Sequence, residues 1–298
     1  MHRGNGEWKI ENGKLKVSKA QIKQVRALQQ KKYRDELGLF VAEGDKCVEE
    51  LQKGFELVSL YREGDNATRT EIEQMSGLQT PQGVVAVFRK RPQAMHNAQC
   101  TMHNAQFAID NLVLVLDGVQ NPGNLGTIIR TCDWFGVHDI VCSPDTADCY
   151  NPKVVQATMG ALVRVRVHYA DLPAWLETVS SQCPAVRIYG TLLDGEDLYE
   201  TIDRGRAAQR EKTLLDSDGH RQSSVPKEES PLSNPLQDGS PAVIVMGNEG
   251  NGISEEVRKR ITHPIRIPSF PKDAETSESL NVAIAAAIVL AEFRRGKS

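Results

Sequence analysis

Three short segments hold the residue types and spacings that could do chemistry: Asn121-Pro-Gly-Asn-Leu-Gly-Thr-Ile-Ile-Arg130, Met246-Gly-Asn-Glu-Gly-Asn-Gly-Ile-Ser254 and Glu278-Ser-Leu-Asn-Val282. Gly247, Gly250 and Gly252 carry no Cβ, so the backbone there can approach a flat ligand closely. Their spacings, three and then two, reverse the Gly-x-Gly-x-x-Gly dinucleotide fingerprint, and Gly123-Asn-Leu-Gly126 lacks the Lys-Ser/Thr of a P-loop. Each segment directly follows an apolar, strand-like run or opens a strongly apolar helix. That is where α/β enzymes gather their binding loops, outside the carboxyl ends of parallel strands.

The elements that must position these residues are legible from hydrophobic pattern. Leu112-Val-Leu-Val-Leu116 is apolar throughout, the signature of a strand covered on both faces. A helix over 125–135 and a strand at Asp139-Ile-Val-Cys142 follow. Further strands are expected at Arg187-Ile-Tyr-Gly190, Ala242-Val-Ile-Val-Met246 and Ile265-Arg-Ile267, with Ser254 capping a helix that begins Glu255-Glu256. The βαβ alternation predicts an α/β fold with a parallel sheet and helices on both faces.

Upstream, Ile22, Val25 and Leu28 recur three apart behind Ser18, which predicts an N-capped amphipathic helix. Strands are expected at 39–42, 57–61 and 84–88, and a helix over 45–53, giving a small α/β domain. The predicted organisation is a 1–17 extension, a domain over 18–91, a linker over 92–110 and a larger domain over 111–298. Residues 203–240 are rich in Ser, Pro, Gly, Arg and acids and poor in apolar residues, so they are expected to form a disordered insertion. The linker holds two near-copies, Ala94-Met-His-Asn-Ala-Gln-Cys100 and Thr101-Met-His-Asn-Ala-Gln-Phe107. They place His96, Cys100 and His103 near one another, but three ligands on a polar linker without a second cluster do not make a metal site, and no metal is expected.

The chain of 298 residues is 40% hydrophobic and 25% charged, the profile of a globular protein. Its longest apolar run, Val282 to Ala291, is about half of the roughly 20 residues a bilayer requires, so it reads as a buried core helix rather than a membrane span. Met1-His-Arg-Gly-Asn-Gly-Glu-Trp8 leads into a polar, basic stretch without an apolar signal region. The six scattered cysteines suit free thiols in a reducing cytoplasm. A net charge of -3 conceals ten Lys or Arg against two acids in residues 1–34. Lys19, Lys23, Arg26, Lys31 and Lys32 are the candidate contacts to a polyanion such as RNA.

Taken together, the three loop motifs resemble the SpoU (TrmH-like) family of the SPOUT class of RNA ribose 2'-O-methyltransferases. Asn124, Gly126, Arg130 and Phe135-Gly136 match its first motif, Gly247 through Ile253 its second, and Ile267-Pro268 with Ser279 to Ala285 its third. Leu39-Phe-Val-Ala-Glu-Gly44 after a basic helix is similar to the family's substrate-binding domain. The resemblance implies a deep trefoil knot near the C-terminus, a homodimer with shared active sites, and S-adenosylmethionine as cofactor. Carried across, Thr191, Leu192, Met246, Gly247, Gly250, Ile267 and Leu280 would hold the cofactor. Arg130, Asn124, Glu249, Ser279 and Asn281 would serve the reaction.

The resemblance has Arg130 activating the 2'-hydroxyl. A free guanidinium has a pKa above about 12, so either the site depresses it or Arg130 holds the adjacent phosphate while another group takes the proton. Asn124 would position Arg130 or the ribose, Glu249 the loop or the nucleotide, and Ser279 and Asn281 the sugar-phosphate. For Asn281 the plainer alternative is a helix cap, and for Glu249 a surface acid. One departure falls on the substrate side: Ser269-Phe-Pro-Lys-Asp-Ala-Glu-Thr276 stands where many relatives have Met-Gly after Ile-Pro. The expected substrate is ribosomal RNA, or else transfer RNA. The rival reading, a non-catalytic RNA-binding factor of the same fold, sits poorly with intact Asn124, Arg130 and Asn281.

Overall fold

The computed structural model describes residues 10–11, 14–15, 17–91, 112–204, 241–271 and 279–295. The expectations for the duplicated linker and for most of the 203–240 segment lie outside the described residues. The chain divides into two compact units. The first gathers Met1–Gln93, Asn121–Arg130 and Ala147–Arg164, and the second gathers Ala94–Gln120, Thr131–Thr146 and Val165–Ser298.

In the first unit, two short strands, β1 (Ile10–Glu11) and β2 (Lys14–Leu15), pair antiparallel. Helix α1 (Lys19–Ala27) starts where the sequence placed it, with the Ser18 hydroxyl accepting from Gln21 and the Gln21 side chain returning a bond to the Ser18 amide. Helix α2 (Lys31–Leu37) closes on Gly38 in the left-handed region. An antiparallel sheet follows, in the order β3 (Leu39–Glu43), β5 (Val84–Arg89), β4 (Leu57–Arg62). Helices α3 (Asp45–Gln52) and α4 (Arg69–Met75) accompany it. Alternation along β3 and β5 sends Leu39, Val41, Val85 and Val87 into one core with Val25, Leu28, Ile72 and Met75. The opposite register carries Phe40, whose ring lies 5.2 Å from that of Phe55 and 4.8 Å from that of Tyr150.

The second unit is built on a six-stranded sheet, parallel throughout: β6 (Leu112–Leu116), β7 (Asp139–Cys142), β8 (Arg166–Tyr169), β9 (Arg187–Asp197), β10 (Ala242–Met246) and β11 (His263–Arg266). Their order is β11-β9-β10-β6-β7-β8. The chain leaves β6 toward β7 and β8, whereas β9, β10 and β11 lie on the other side. The point where the order reverses therefore falls between β6 and β10, and their carboxyl ends flank the crevice such sheets use for ligands. β6 and β10 are buried along their whole length, as their unbroken apolar runs require.

Sequence reasoning missed β8, because Arg-Val-His-Tyr on an outer edge carries no apolar run. It also ended β9 at Gly190. That strand leaves the sheet for residues 191–195 and rejoins at Glu196, where the partner register jumps from Pro264 to Ile265. Helix α5 (Pro122–Trp134) begins three residues earlier than expected, since Pro122 opens its first turn. Helix α6 (Pro152–Thr158) is capped by Asn151 and helix α7 (Leu172–Gln182) by Asp171. The last helices are α8 (Glu255–Arg258) and α9 (Val282–Arg294), the latter being the predicted apolar core helix. Among the described residues no helix is long and apolar enough to cross a membrane.

Candidate active site

Asn124 and Arg130 stand on α5, within the first unit. The Asn121 side chain starts this helix by accepting from the amides of Gly123 at 2.8 Å and Asn124 at 3.2 Å. Leu125, Ile128 and Ile129 turn inward, while Thr127 and Arg130 face out and Asn124 is half-buried. Gly126 has a mechanical reason to be glycine: a Cβ there would stand 2.4 Å from the Ala157 side chain and 2.9 Å from the Val154 carbonyl. Helix α5 thus lies flush on α6, and the position of the Arg130 helix is fixed by backbone contact.

The remaining candidates belong to the second unit. After β10, residues 247–252 fold back as a small hairpin in which Asn248 and Gly252 exchange two backbone hydrogen bonds of 2.9 Å. The Asn248 carboxamide oxygen accepts from Gly250 at 2.8 Å and Asn251 at 3.2 Å, and its nitrogen donates to the Gly118 carbonyl at 2.6 Å. Gly247 is enclosed, because a Cβ would come within 2.2 Å of the Gly252 backbone. Gly250 and Gly252 face open space: a Cβ would meet only Asn248 at 3.4 Å at the first, and nothing within 4 Å at the second. Glu249 is exposed at the tip.

Ser254 sits at the N-cap of α8, as expected, but its side chain makes no cap bond. Its amide instead donates to the buried Asp117 carboxylate at 2.8 Å, which ties the loop after β10 to the loop after β6. Asn248 and Asp117 hold these loops in place, although neither is among the residues singled out from the motifs. The visible signal was an asparagine followed by two glycines in a turn, which suits a side chain that hydrogen-bonds its own backbone. Met246 is enclosed on both counts: its side chain is buried, and its carbonyl accepts from the Asp117 amide at 2.9 Å.

On the neighbouring strand, the Thr191 hydroxyl donates to the Val245 carbonyl at 3.3 Å, so Thr191 and Leu192 stand at the carboxyl end beside Gly247. Leu192 packs partly against the sheet core, and Leu193 projects outward. Ile267 comes directly after β11 and is half-buried. Ser279 and Leu280 are exposed on the approach to α9, and Asn281 caps that helix by accepting from Ala283 at 3.0 Å and Ile284 at 3.4 Å. The plainer alternative for Asn281 therefore describes a bond it does make.

These groups suit a nucleoside-bearing cofactor. Bare backbone at Gly250 and Gly252, the half-buried side chains of Leu192 and Ile267 and the exposed one of Leu280 could flank a flat ring, with carbonyls and amides at the strand ends for its polar edge.

Residues 111–291 match the SpoU rRNA Methylase family, and residues 19–66 match the MRM3-like substrate binding domain. The chain belongs to the SpoU rRNA methylase family. It is 28% identical over 277 residues to the 23S rRNA (guanosine(2553)-2'-O)-methyltransferase RlmP of Bacillus subtilis, covering 92% of this chain and 95% of that one. To the mouse mitochondrial rRNA methyltransferase 3 it is 31% identical over 246 residues, 76% of this chain and 55% of that longer protein. Among solved structures, a putative RNA methyltransferase of the TrmH family from Porphyromonas gingivalis superposes with a TM-score of 0.70 at 32% identity, covering 95% and 99% of the two chains. An AdoMet-bound rRNA methyltransferase from Sinorhizobium meliloti does so with 0.67 at 27% identity, covering 94% and 97%.

Proposed function

We propose that this chain transfers a methyl group from S-adenosylmethionine to a ribose 2'-hydroxyl of ribosomal RNA. The observation that carries the reading is the clustering of Thr191, Leu192 and the 247–252 hairpin at the carboxyl ends of adjacent parallel strands, in a chain that aligns with nearly the whole length of RlmP. When bound, the cofactor supplies an electrophilic methyl on a sulfonium centre. The protein's task is then to orient the hydroxyl in line with that carbon and to accept or pass on its proton.

Strand-end backbone and Leu192, Ile267 and Leu280 enclose the adenosine, and the Gly247 turn sets the position of the hairpin. Arg130, exposed on α5, holds the phosphate beside the target ribose or its 2'-oxygen, with Asn124 about 1.7 turns before it. Glu249, Ser279 and Asn281 position the nucleotide. Lys19, Lys23 and Arg26 fall at i, i+4 and i+7 on α1, and Lys32 on α2. All four are exposed, and no acid pairs with them among the described residues. Such an unneutralised stripe supports RNA binding by residues 18–91.

The same reading includes a homodimer, a trefoil knot in the second unit and a cytoplasmic setting. Trp134, 85% exposed, and Ile284, 55% exposed, are among the large apolar side chains that a second copy could cover.

The test is tritium transfer from labelled S-adenosylmethionine to in vitro transcribed 23S ribosomal RNA, followed by mapping of 2'-O-methyl positions. Transfer to a defined ribose is expected. Arg130→Ala should abolish it while leaving cofactor affinity, measured by calorimetry, within a few-fold of wild type. Near-normal transfer by this variant would remove Arg130 from its assigned role, and a chain that ignored the cofactor would overturn the whole reading.

A further inference from the structure

Arg34 is 2% exposed, an unusual state for arginine, which is seldom buried unless paired. Its Nε and Nη2 both donate to the Asp148 carboxylate, at 3.0 and 2.7 Å, and its Nη1 donates to the carbonyls of Leu28 and Gln29, both at 2.9 Å. One guanidinium thereby closes the end of the basic helix α1 and grips a loop 114 residues further along the chain.

That loop leads without slack to the Arg130 helix. The other Asp148 oxygen accepts from the Tyr150 amide at 3.0 Å, and its carbonyl accepts from Asn151 at 2.9 Å, the residue that caps α6. Helix α6 is the one on which Gly126 rests without room for a Cβ. Every link in this series lies inside the first unit.

We propose that Arg34 and Asp148 are positioning residues. Their buried pair sets the placement of Asn124 and Arg130 on α5 relative to the RNA-contacting face of α1, so that RNA held by the basic stripe presents its ribose at a fixed distance from Arg130. The inference rests on the activity proposed above and assigns that activity a geometric control outside the reacting groups. An ion pair taken out of water is a costly way to gain stability, since well-packed apolar residues serve as well. Its use here is specificity of placement: the planar fork meets the carboxylate and two carbonyls in one geometry only.

Asp148→Asn and Arg34→Lys in the full-length chain test this by hydrogen exchange and by kinetics. Amides of α6 and the first two turns of α5, Val155 and Leu125 among them, should exchange about tenfold faster or more, while those of β6 and β10 keep their wild-type rates. On the 23S transcript, kcat should fall about tenfold or more with little change in KM, because binding persists and alignment is lost. Unchanged protection of α5 would overturn the proposal. A rise of equal size in β6 and β10 would overturn it as well, since the pair would then serve global stability alone. Exchange is read without RNA, so failure of wild-type chain to methylate the transcript would count against the activity and leave the exchange result to decide the placement.

Discussion

Asn281 has a visible part in the fold and a proposed one in the reaction, and substitutions can separate the two. Its side-chain oxygen caps α9, a contribution of about 1 kcal/mol that aspartate can supply equally well. Asn281→Ala should lower stability by about that amount, measured by chemical denaturation. Asn281→Asp should restore stability. If the carboxamide also positions the target nucleotide, Asn281→Asp will remain slow in methyl transfer, whereas a mere cap would be rescued in both assays. The residue types that could carry chemistry were readable from the sequence because each sits in a short motif beside an apolar run. Asp117 and Asn248 were not, because their partners lie 137 and 130 residues away and no local pattern announces a tertiary hydrogen bond.

Among elements, legibility followed the strength of the hydrophobic signal. β6, β7 and β10 lie where the apolar runs placed them, and α1 starts at its predicted cap. The edge strand β8 and the seven-residue helices α2, α4 and α6 went unseen, since short or half-exposed elements owe their shape to neighbours more than to their own pattern. Asn151-Pro152 was nonetheless a cap-and-proline start signal for α6. The hairpin after β10 combines local and distant control. Gly247→Ala should displace it, since the new methyl would fall within 2.2 Å of the Gly252 carbonyl carbon. The expected result is a loss of cofactor affinity of about tenfold or more by calorimetry, with the thermal midpoint shifted by only a few degrees. Unchanged affinity would show that this hairpin does not form the cofactor's surroundings.

At the scale of the whole molecule, one contribution to pH-dependent stability comes from the start of β7. Asp139 opens β7, and burial alone would raise its carboxyl. Hydrogen bonds from Arg166 at 2.8 and 2.5 Å and from His168 at 2.9 Å outweigh that and hold it well below the usual carboxylate range. A carboxylate depressed in the folded state stabilises above its unfolded pKa of about 4, and that contribution is lost as pH falls through the folded value. Asp139→Asn should therefore cost about 2 kcal/mol at pH 7, with the gap between variant and wild type narrowing below pH 4 in denaturation curves. A gap independent of pH would assign the loss to packing instead.

The order of strands carries a consequence for how the protein is born. β11 must take its place outside β9, and Leu280 and Asn281 come later still in the sequence, just before α9. A nascent chain can assemble β6, β7 and β8 early, but the proposed donor-binding end stays incomplete until Leu280 and Asn281 have been made. On the proposed site, chains that stop short of Leu280 should be inert toward the methyl donor rather than partly competent, so such unfinished copies would draw none of it away.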